Sequence, residues 1–213
     1  MGTYYELVDG IRLPRKVGGH PALEFCNTRT GWGGSGVGEY LKDFDHLAVW
    51  AGSVGLLEPE RVAGLRRMGA RRIKLAAETF ERALRFRTSL YWVLRNGAGG
   101  SGSSWKVVRD EVDAATASLR LVCSSNETIR WEVDAQPALA APVLALAWAA
   151  GELLTSSDLR FVKACPGARC GWLFLDRRGR RRWCVMATCG NREKARRFAA
   201  RHGSASAGPL PLG

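Results

Sequence analysis

The chain has 213 residues, of which 46% are apolar and 24% charged, an ordinary globular mixture that can bury a core of one or two domains. The opening residues "MGTYYELVDGIRLPRK" hold no apolar run of the kind a secretory signal needs, and the apolar stretch 137–154 contains Pro142 and Glu152 and is short for a bilayer span. We therefore expect a cytoplasmic protein with no membrane partner, in which residues 137–154 form a buried helix.

The net charge of +12 is unevenly distributed along the chain. In residues 1–159 the basic side chains exceed the acidic ones by one, whereas in residues 160–202 they exceed them by eleven. A neutral region followed by a strongly cationic segment predicts a polyanionic partner for that segment.

Helical periodicity begins after a glycine-rich opening segment, where one face of a helix is formed by Leu41, Phe44, Leu47 and Trp50. Pro59 is well placed as the first residue of the next helix. The longest predicted helix covers residues 71–96, and Gly97 ends it.

The second half of this region predicts a further helix over residues 105–119 and then two short strands. The strands are "LRLVC" at 119–123 and "TIRWEV" at 128–133, in which Ile129, Trp131 and Val133 alternate with polar residues, and together they predict a β-hairpin. The Ala/Leu-rich helix 138–154 completes the region, and "TSSD" at 155–158 marks the expected boundary.

Four of the six cysteines lie close together in the cationic segment, as two pairs that each enclose four residues: Cys165, Cys170, Cys184 and Cys189. They could be buried thiols or two disulfides, but paired spacing in a cytoplasmic protein favours one structural zinc ion held by four thiolates. Four thiolates leave no open coordination position, so the metal would stabilise the fold and would not catalyse.

The residues around these cysteines predict a treble-clef-like finger. "GWLFLD" is expected to form a strand that returns through a turn centred on Gly179 into a second strand, "RRWC", and Thr188 is expected to cap a helix that begins at Cys189. The predicted fold class is thus α+β: a mainly helical N-terminal domain with a small antiparallel β element over residues 1–157, the zinc finger over 158–202, and a disordered tail over 203–213.

The excess charge of the finger comes mostly from arginine, which suits bidentate contacts to phosphate or guanine. In a helix that begins at Cys189, Ala195, Phe198 and Ala199 would pack on the hairpin, and the basic side chains would point away from it. We expect nucleic acid, above all double-stranded DNA, to contact Arg178, Arg180, Arg181, Arg182, Arg192, Lys194, Arg196 and Arg197.

The pattern C-x4-C-G-W-L-F-L-D followed by R-R-W-C-x-M-A-T-C-G-N-R-x-K resembles the CGNR zinc finger, whose tetrapeptide stands here at residues 189–192. In that family the finger follows a helical domain called ABATE, and "HPALEFCNT" at 20–28 is similar to the opening signature of that domain. The resemblance implies zinc on the four paired cysteines and a role in stress-linked transcription regulation. Glu24 stands where this signature often has Asp.

The neutral N-terminal region shows no nucleophile–base pair, so we expect no catalytic residues and no enzyme. It could sense a small-molecule effector or form a homodimer. Asn27 and Arg29, at a glycine-rich bend, could hold the anion of a ligand, although a turn-stabilising Asn is the more ordinary interpretation. Two functions remain open: a DNA-binding regulator, and an RNA-binding or ribosome-associated module.

Overall fold

The computed structural model describes residues 5–32, 34, 37–123 and 127–202. The tail 203–213, predicted to be disordered, lies outside these residues. Within the described part of the chain the elements follow in the order β1 (Tyr5–Val8), β2 (Ile11–Pro14), α1 (Pro21–Cys26), α2 (Phe44–Ser53), α3 (Pro59–Arg71), α4 (Ile73–Asn96), α5 (Ser103–Ala117), β3 (Leu119–Cys123), β4 (Ile129–Val133), α6 (Ala141–Thr155), β5 (Val162–Ala164), β6 (Leu173–Leu175) and α7 (Asn191–His202).

Local sequence signals explain where the N-terminal helices begin and end. The Asp43 side chain accepts a hydrogen bond from the backbone N–H of His46 at 2.9 Å and so caps α2. Pro59 is the first residue of α3, as predicted, because its missing N–H is not needed in the first turn. The long helix α4 ends at Gly97, which adopts a φ of 76° that other residues rarely tolerate.

Helix α6 is the centre of the core, and α1, α4 and α5 pack around it. Every residue from 141 to 147 is buried. The stretch Ala138–Thr155 is long and apolar enough to cross a bilayer by length and composition, but 67% of it is buried within the protein. The prediction of a buried helix in this stretch is confirmed.

The predicted hairpin of the N-terminal region is also confirmed. Strands β3 and β4 pair antiparallel, with Leu119 opposite Val133, Leu121 opposite Trp131 and Cys123 opposite Ile129. The base of the hairpin packs on the core, since Val133 is buried, whereas Leu121 and Trp131 are exposed. A second hairpin, β1–β2, turns at Asp9-Gly10.

The sequence predicted the wrong partner strand for the first strand of the finger hairpin. β6 lies within the predicted segment "GWLFLD", but it pairs antiparallel with β5, and residues 181–184 form no strand. The Asp176 carboxylate accepts the backbone N–H groups of Arg180 (2.9 Å) and Arg181 (3.2 Å), which folds the chain into a tight turn after β6. These N–H groups are therefore not available for a ladder with β6.

The finger and the helical region share one hydrophobic core. Leu173, Phe174 and Leu175 of β6 are all buried in the same cluster as α1, α4 and α6. The boundary predicted near residue 157 therefore separates segments of sequence that are packed together in space.

Candidate metal centre and nucleic-acid interface

The first cysteine pair is positioned by a short loop whose ends are fixed by backbone hydrogen bonds. Cys165 N–H donates to Trp172 C=O at 2.8 Å, and Cys170 N–H donates to Gly167 C=O at 2.9 Å. A Cβ atom on Gly167 would lie 3.4 Å from the Sγ of Cys189 and 3.6 Å from that of Cys165. These are ordinary van der Waals distances, so the loop backbone lies directly beside the sulfur atoms.

The second pair is positioned by a single wide turn of π-helix, Met186–Gly190, that leads into α7 and holds Cys189. A Cβ atom on Gly190 would lie 2.3 Å from the Met186 sulfur and 3.1 Å from the Trp183 ring, so a larger residue there would require both side chains to move. The predicted cap by Thr188 is wrong, because its hydroxyl donates to Val185 C=O (3.3 Å) and α7 begins two residues after Cys189.

The four sulfur atoms form a compact cluster, and all lie within 4.8 Å of one another. The Sγ of Cys184 is 3.6 Å from those of Cys170 and Cys189. A tetrahedral zinc ion with Zn–S bonds of about 2.3 Å requires sulfur atoms about 3.8 Å apart, whereas a disulfide requires about 2.05 Å. The cluster therefore fits one structural zinc ion and excludes disulfides among these cysteines.

Comparisons with protein families agree with this geometry and with the helical core. Residues 162–202 match the family model described as "CGNR zinc finger". Residues 19–157 match the model described as "ABATE: Putative stress-induced transcription regulator". The chain belongs to the ABATE family. No curated protein matches it.

The ABATE region holds the finger through hydrogen bonds from buried side chains. The Asn27 amide donates to Leu173 C=O (2.9 Å) and accepts from Leu173 N–H (2.8 Å). The Tyr91 hydroxyl donates to Gly171 C=O at 3.0 Å, and the Trp172 indole donates to the C=O of Arg29 at 2.9 Å. These bonds fix the finger against α1 and α4.

Residues of the ABATE opening signature also have structural roles near the finger. His20 Nδ1 accepts the N–H of Ala22 at 3.2 Å and caps α1. The Glu24 carboxylate is buried and accepts N–H groups of the loop before α1, at 2.8 Å from Gly18 and 3.0 Å from Gly19. Burial raises the pKa of Glu24, and these hydrogen bonds oppose the rise. The Glu that replaces Asp in this signature thus holds the loop on which the finger rests.

The two candidate ligand-binding residues, Asn27 and Arg29, lie in different environments. Asn27 is fully buried, and its amide is occupied by Leu173, which supports the turn-stabilising interpretation. Arg29 lies with its guanidinium 4.5 Å above the Trp32 ring, and its Nε is buried with no hydrogen-bond partner. Anion binding at this bend stays a prediction.

The arginines after β6 divide into two groups. Arg181 is half-buried and donates to the carbonyl groups of Val17 (2.9 Å) and Cys184 (2.7 Å), and its guanidinium lies 4.5 Å above the Phe174 ring. Arg181 therefore has a structural role that its place in the basic run did not predict. The exposed members of the run are Arg177, which pairs with Asp158, and the three predicted contact residues Arg178, Arg180 and Arg182.

Helix α7 extends away from the core and is exposed along almost its whole length. Phe198 is 64% exposed, and Ala195 and Ala199 are exposed as well, so the predicted packing of this face on the finger is wrong. The physical reason is the absent second strand, since the hairpin surface on which these side chains were expected to pack does not form. Four predicted contact residues lie along this helix: Arg192, Lys194, Arg196 and Arg197.

Glu193 is the only acidic residue of α7. Its carboxylate accepts hydrogen bonds from Arg196 (2.8 and 2.9 Å) and Arg197 (3.0 Å), which lower its pKa to about 2. The helix thus keeps an excess of positive charge at neutral pH.

One exposed cation beside the metal centre was not among the predicted contacts. Arg169 lies within the first cysteine loop, and within the described residues no carboxylate is within ion-pair distance of it. It lines a cavity of about 460 Å³ together with Arg192 and Arg196 of α7. Its place between two paired cysteines is the sequence signal that could have identified it.

Proposed function

We propose that this ABATE protein is a DNA-binding transcription regulator of the cytoplasm, with no enzymatic activity. Its zinc finger presents a basic surface to double-stranded DNA, and its N-terminal region senses a stress-related ligand or partner. Membership of a family described as a stress-induced transcription regulator supports this proposal.

The exposure of α7 is the observation on which the DNA proposal depends. This helix has 12 residues and is therefore about 18 Å long, and its basic side chains are accessible on several sides. The major groove of B-DNA admits an α-helix, so the helix can enter it while its arginines contact phosphates or guanine edges. The exposed arginines after β6 would contact the DNA backbone beside the groove.

The same helix favours DNA over the alternative, an RNA-binding module. The major groove of double-stranded RNA is deep and narrow, and side chains cannot read it. RNA recognition by single-strand stacking would need accessible aromatic side chains on the finger. Trp172 cannot serve because it is buried and donates to the ABATE region, which leaves the half-buried Trp183 and the exposed Phe198. Tighter binding to structured RNA than to any duplex DNA would favour the alternative.

A cavity in the ABATE region supports the sensing part of the proposal. It has a volume of about 440 Å³ and lies between α2, α3 and α4. Its lining combines apolar side chains such as Phe44 and Phe80 with charged ones such as Asp45 and Arg66. This volume is within the range of small-molecule sites. An effector bound here would contact α4, the helix whose Tyr91 holds the finger.

The test measures the affinity of the full-length protein for a pool of duplex DNA at several salt concentrations. Because each neutralised phosphate contributes about 0.9 to the slope of log affinity against log salt, replacing Arg192 and Arg196 with Ala should reduce that slope by about two. The matched control replaces Arg67 and Arg71, an exposed pair with the same spacing on α3.

Equal slopes for the wild-type protein and the Arg192/Arg196 variant would remove α7 from the phosphate contacts. A wild-type protein without salt-dependent DNA binding would overturn the proposed function. Selection of preferred sites from the pool then tests sequence specificity, which should exceed binding to random DNA by roughly a thousandfold.

A further inference from the structure

Helix α7 has one side that faces the metal centre and another that faces away from the protein. The cavity of about 460 Å³ beside the metal centre is lined by Arg192, Glu193 and Arg196 of α7, and opposite them by residues 167–170 of the first cysteine loop. Successive residues of an α-helix are rotated by about 100°, so Phe198 lies about 140° around the helix from Glu193. Phe198 is therefore directed away from the finger, in agreement with its exposed fraction of 64%.

Phe198 is the only large apolar residue in the sequence of α7, whose other residues are small, polar or charged. Ala195, three residues earlier, lies on the same side of the helix and is exposed as well. We call the surface formed by these two side chains the outer face of α7. A single exposed apolar residue is common on protein surfaces, so the charges around the outer face decide what it can bind.

Cations flank the outer face along both of its edges. Lys194 and Arg201, four residues before and three residues after Phe198, form one edge. Arg192 lies on the other edge, and all three cations are exposed. The only acidic residue of the helix, Glu193, lines the cavity beside the metal centre and is already paired within the helix. The outer face of α7 is thus a short apolar strip between two cationic edges.

The major groove of B-DNA has the complementary arrangement. It is about 12 Å wide, phosphates run along both of its edges, and the apolar group on its floor is the C5-methyl group of thymine, with which Phe makes apolar contact. With its two cationic edges against the phosphates, α7 would direct its outer face to the floor of the groove. We propose that Phe198 contacts a thymine methyl group, so that the protein prefers a T·A pair at that position of its site.

This inference rests on the proposed function, because it needs α7 in the major groove of double-stranded DNA. It assigns two different tasks to the side chains of one helix. The cations hold phosphates of any sequence, whereas Phe198 distinguishes one base pair from another. Loss of Phe198 should therefore change the choice of sequence and leave the salt dependence of binding unchanged, and loss of Arg192 should reduce the salt dependence at every site.

The experiment compares thymine with deoxyuridine, which pairs in the same way and lacks only the methyl group. Preferred sites are selected from random duplex DNA with the full-length wild-type protein, and each thymine is then replaced in turn by deoxyuridine. The wild-type affinity should fall about fourfold at one or two positions, the effect of one buried methyl group. F198A should bind the thymine site more weakly, lose nothing further with deoxyuridine and keep the wild-type salt slope. The control L7A, at a position that is 66% exposed outside the finger, should behave as the wild-type protein does.

A second measurement needs no substitution and answers the case in which F198A fails to fold. In the wild-type complex with its preferred site, a nuclear Overhauser effect should connect a thymine methyl group with the ring protons of Phe198. Salt-dependent DNA binding that is indifferent to deoxyuridine, an equal effect of deoxyuridine on the wild-type protein and folded F198A, or the absence of that Overhauser effect would each overturn the contact and leave the proposed function standing. A wild-type protein without salt-dependent DNA binding would overturn both.

Discussion

The side-chain amide of Asn27 pairs with both backbone polar groups of Leu173, which lies 146 residues further along the chain. Both residues are fully buried, so neither Leu173 group could exchange this partner for water. One amide thus connects the end of α1 to strand β6 of the finger.

Replacing Asn27 with Ala should lower the free energy of unfolding by about 3 kcal/mol, because it leaves a buried N–H and a buried C=O unsatisfied. Urea denaturation followed by circular dichroism measures the change. N96A, at the exposed end of α4, is the matched control and should stay within about 0.5 kcal/mol of the wild-type protein. A loss of less than 1 kcal/mol in N27A would show that this pairing does little to hold the finger.

The ion pair between Arg87 and Glu39 should contribute far more to the free energy of unfolding than the pair between Arg85 and Glu81, in which the arginine lies on the same helix. The Arg87 side chain is 3% exposed and also donates to the Thr28 hydroxyl at 2.7 Å, whereas Arg85 is 67% exposed. Breaking a buried pair leaves an uncompensated charge, so R87M should cost about 3–5 kcal/mol. R85M should cost less than about 1 kcal/mol. Similar losses of stability in the two variants would contradict this account.

Zinc removal should destabilise the whole molecule and not the finger alone. The sequence predicts separate domains, but the shared core predicts a single unfolding transition that a chelator shifts to lower temperature. Calorimetry with and without chelator tests this, and two transitions of which only one is sensitive to the chelator would contradict it. The C184S variant should lose the zinc that elemental analysis finds in the wild-type protein, and C123S, whose cysteine is outside the cluster, should retain it.

Replacing Glu193 with Gln should increase DNA affinity severalfold and steepen its salt dependence, since Arg196 and Arg197 would no longer share a carboxylate. E152Q, exposed on α6, is the control. An affinity that does not change in E193Q would separate these arginines from the DNA contact.

The lowered pKa of Glu193 also predicts that the stability of the protein depends on pH. The pKa of Glu193 is lowered from 4.5 to about 2 in the folded chain, so its stabilising contribution is complete above pH 4.5 and is lost as the pH falls towards 2. The difference in melting temperature between the wild-type protein and E193Q should therefore shrink over that interval. A difference that stays constant from pH 6 to pH 2 would show that Glu193 does not titrate in this way.

Elements with strong local signals could be predicted from the sequence. The proline at the start of α3, the glycine after α4 and the alternation in β4 each act within a few residues. The paired cysteines define the metal site by their spacing. The β1–β2 hairpin has an equally local signal, the dipeptide Asp9-Gly10 between two short strands, which the predicted elements did not include.

The parts that could not be predicted depend on contacts between distant residues. β6 pairs with β5 because Asp176 and Arg181 close the following turn with side-chain bonds that no alternation of apolar residues reveals. The helical pattern of α7 predicted a buried face. A sequence pattern does not show, however, whether the fold provides a surface on which that face can pack. The role of Asn27 likewise depends on a strand far along the chain.

The burial of β6 has a consequence for how this finger could be transplanted. If residues 158–202 were excised and fused to another protein, Leu173, Phe174 and Leu175 would lose their cover, and the groups that Asn27 and Tyr91 satisfy would face solvent. A grafted finger would therefore be prone to aggregate unless α1 and α4 accompanied it. To change the target of this cationic helix, side chains should be replaced within the intact protein, and the finger should not be moved to another protein by itself.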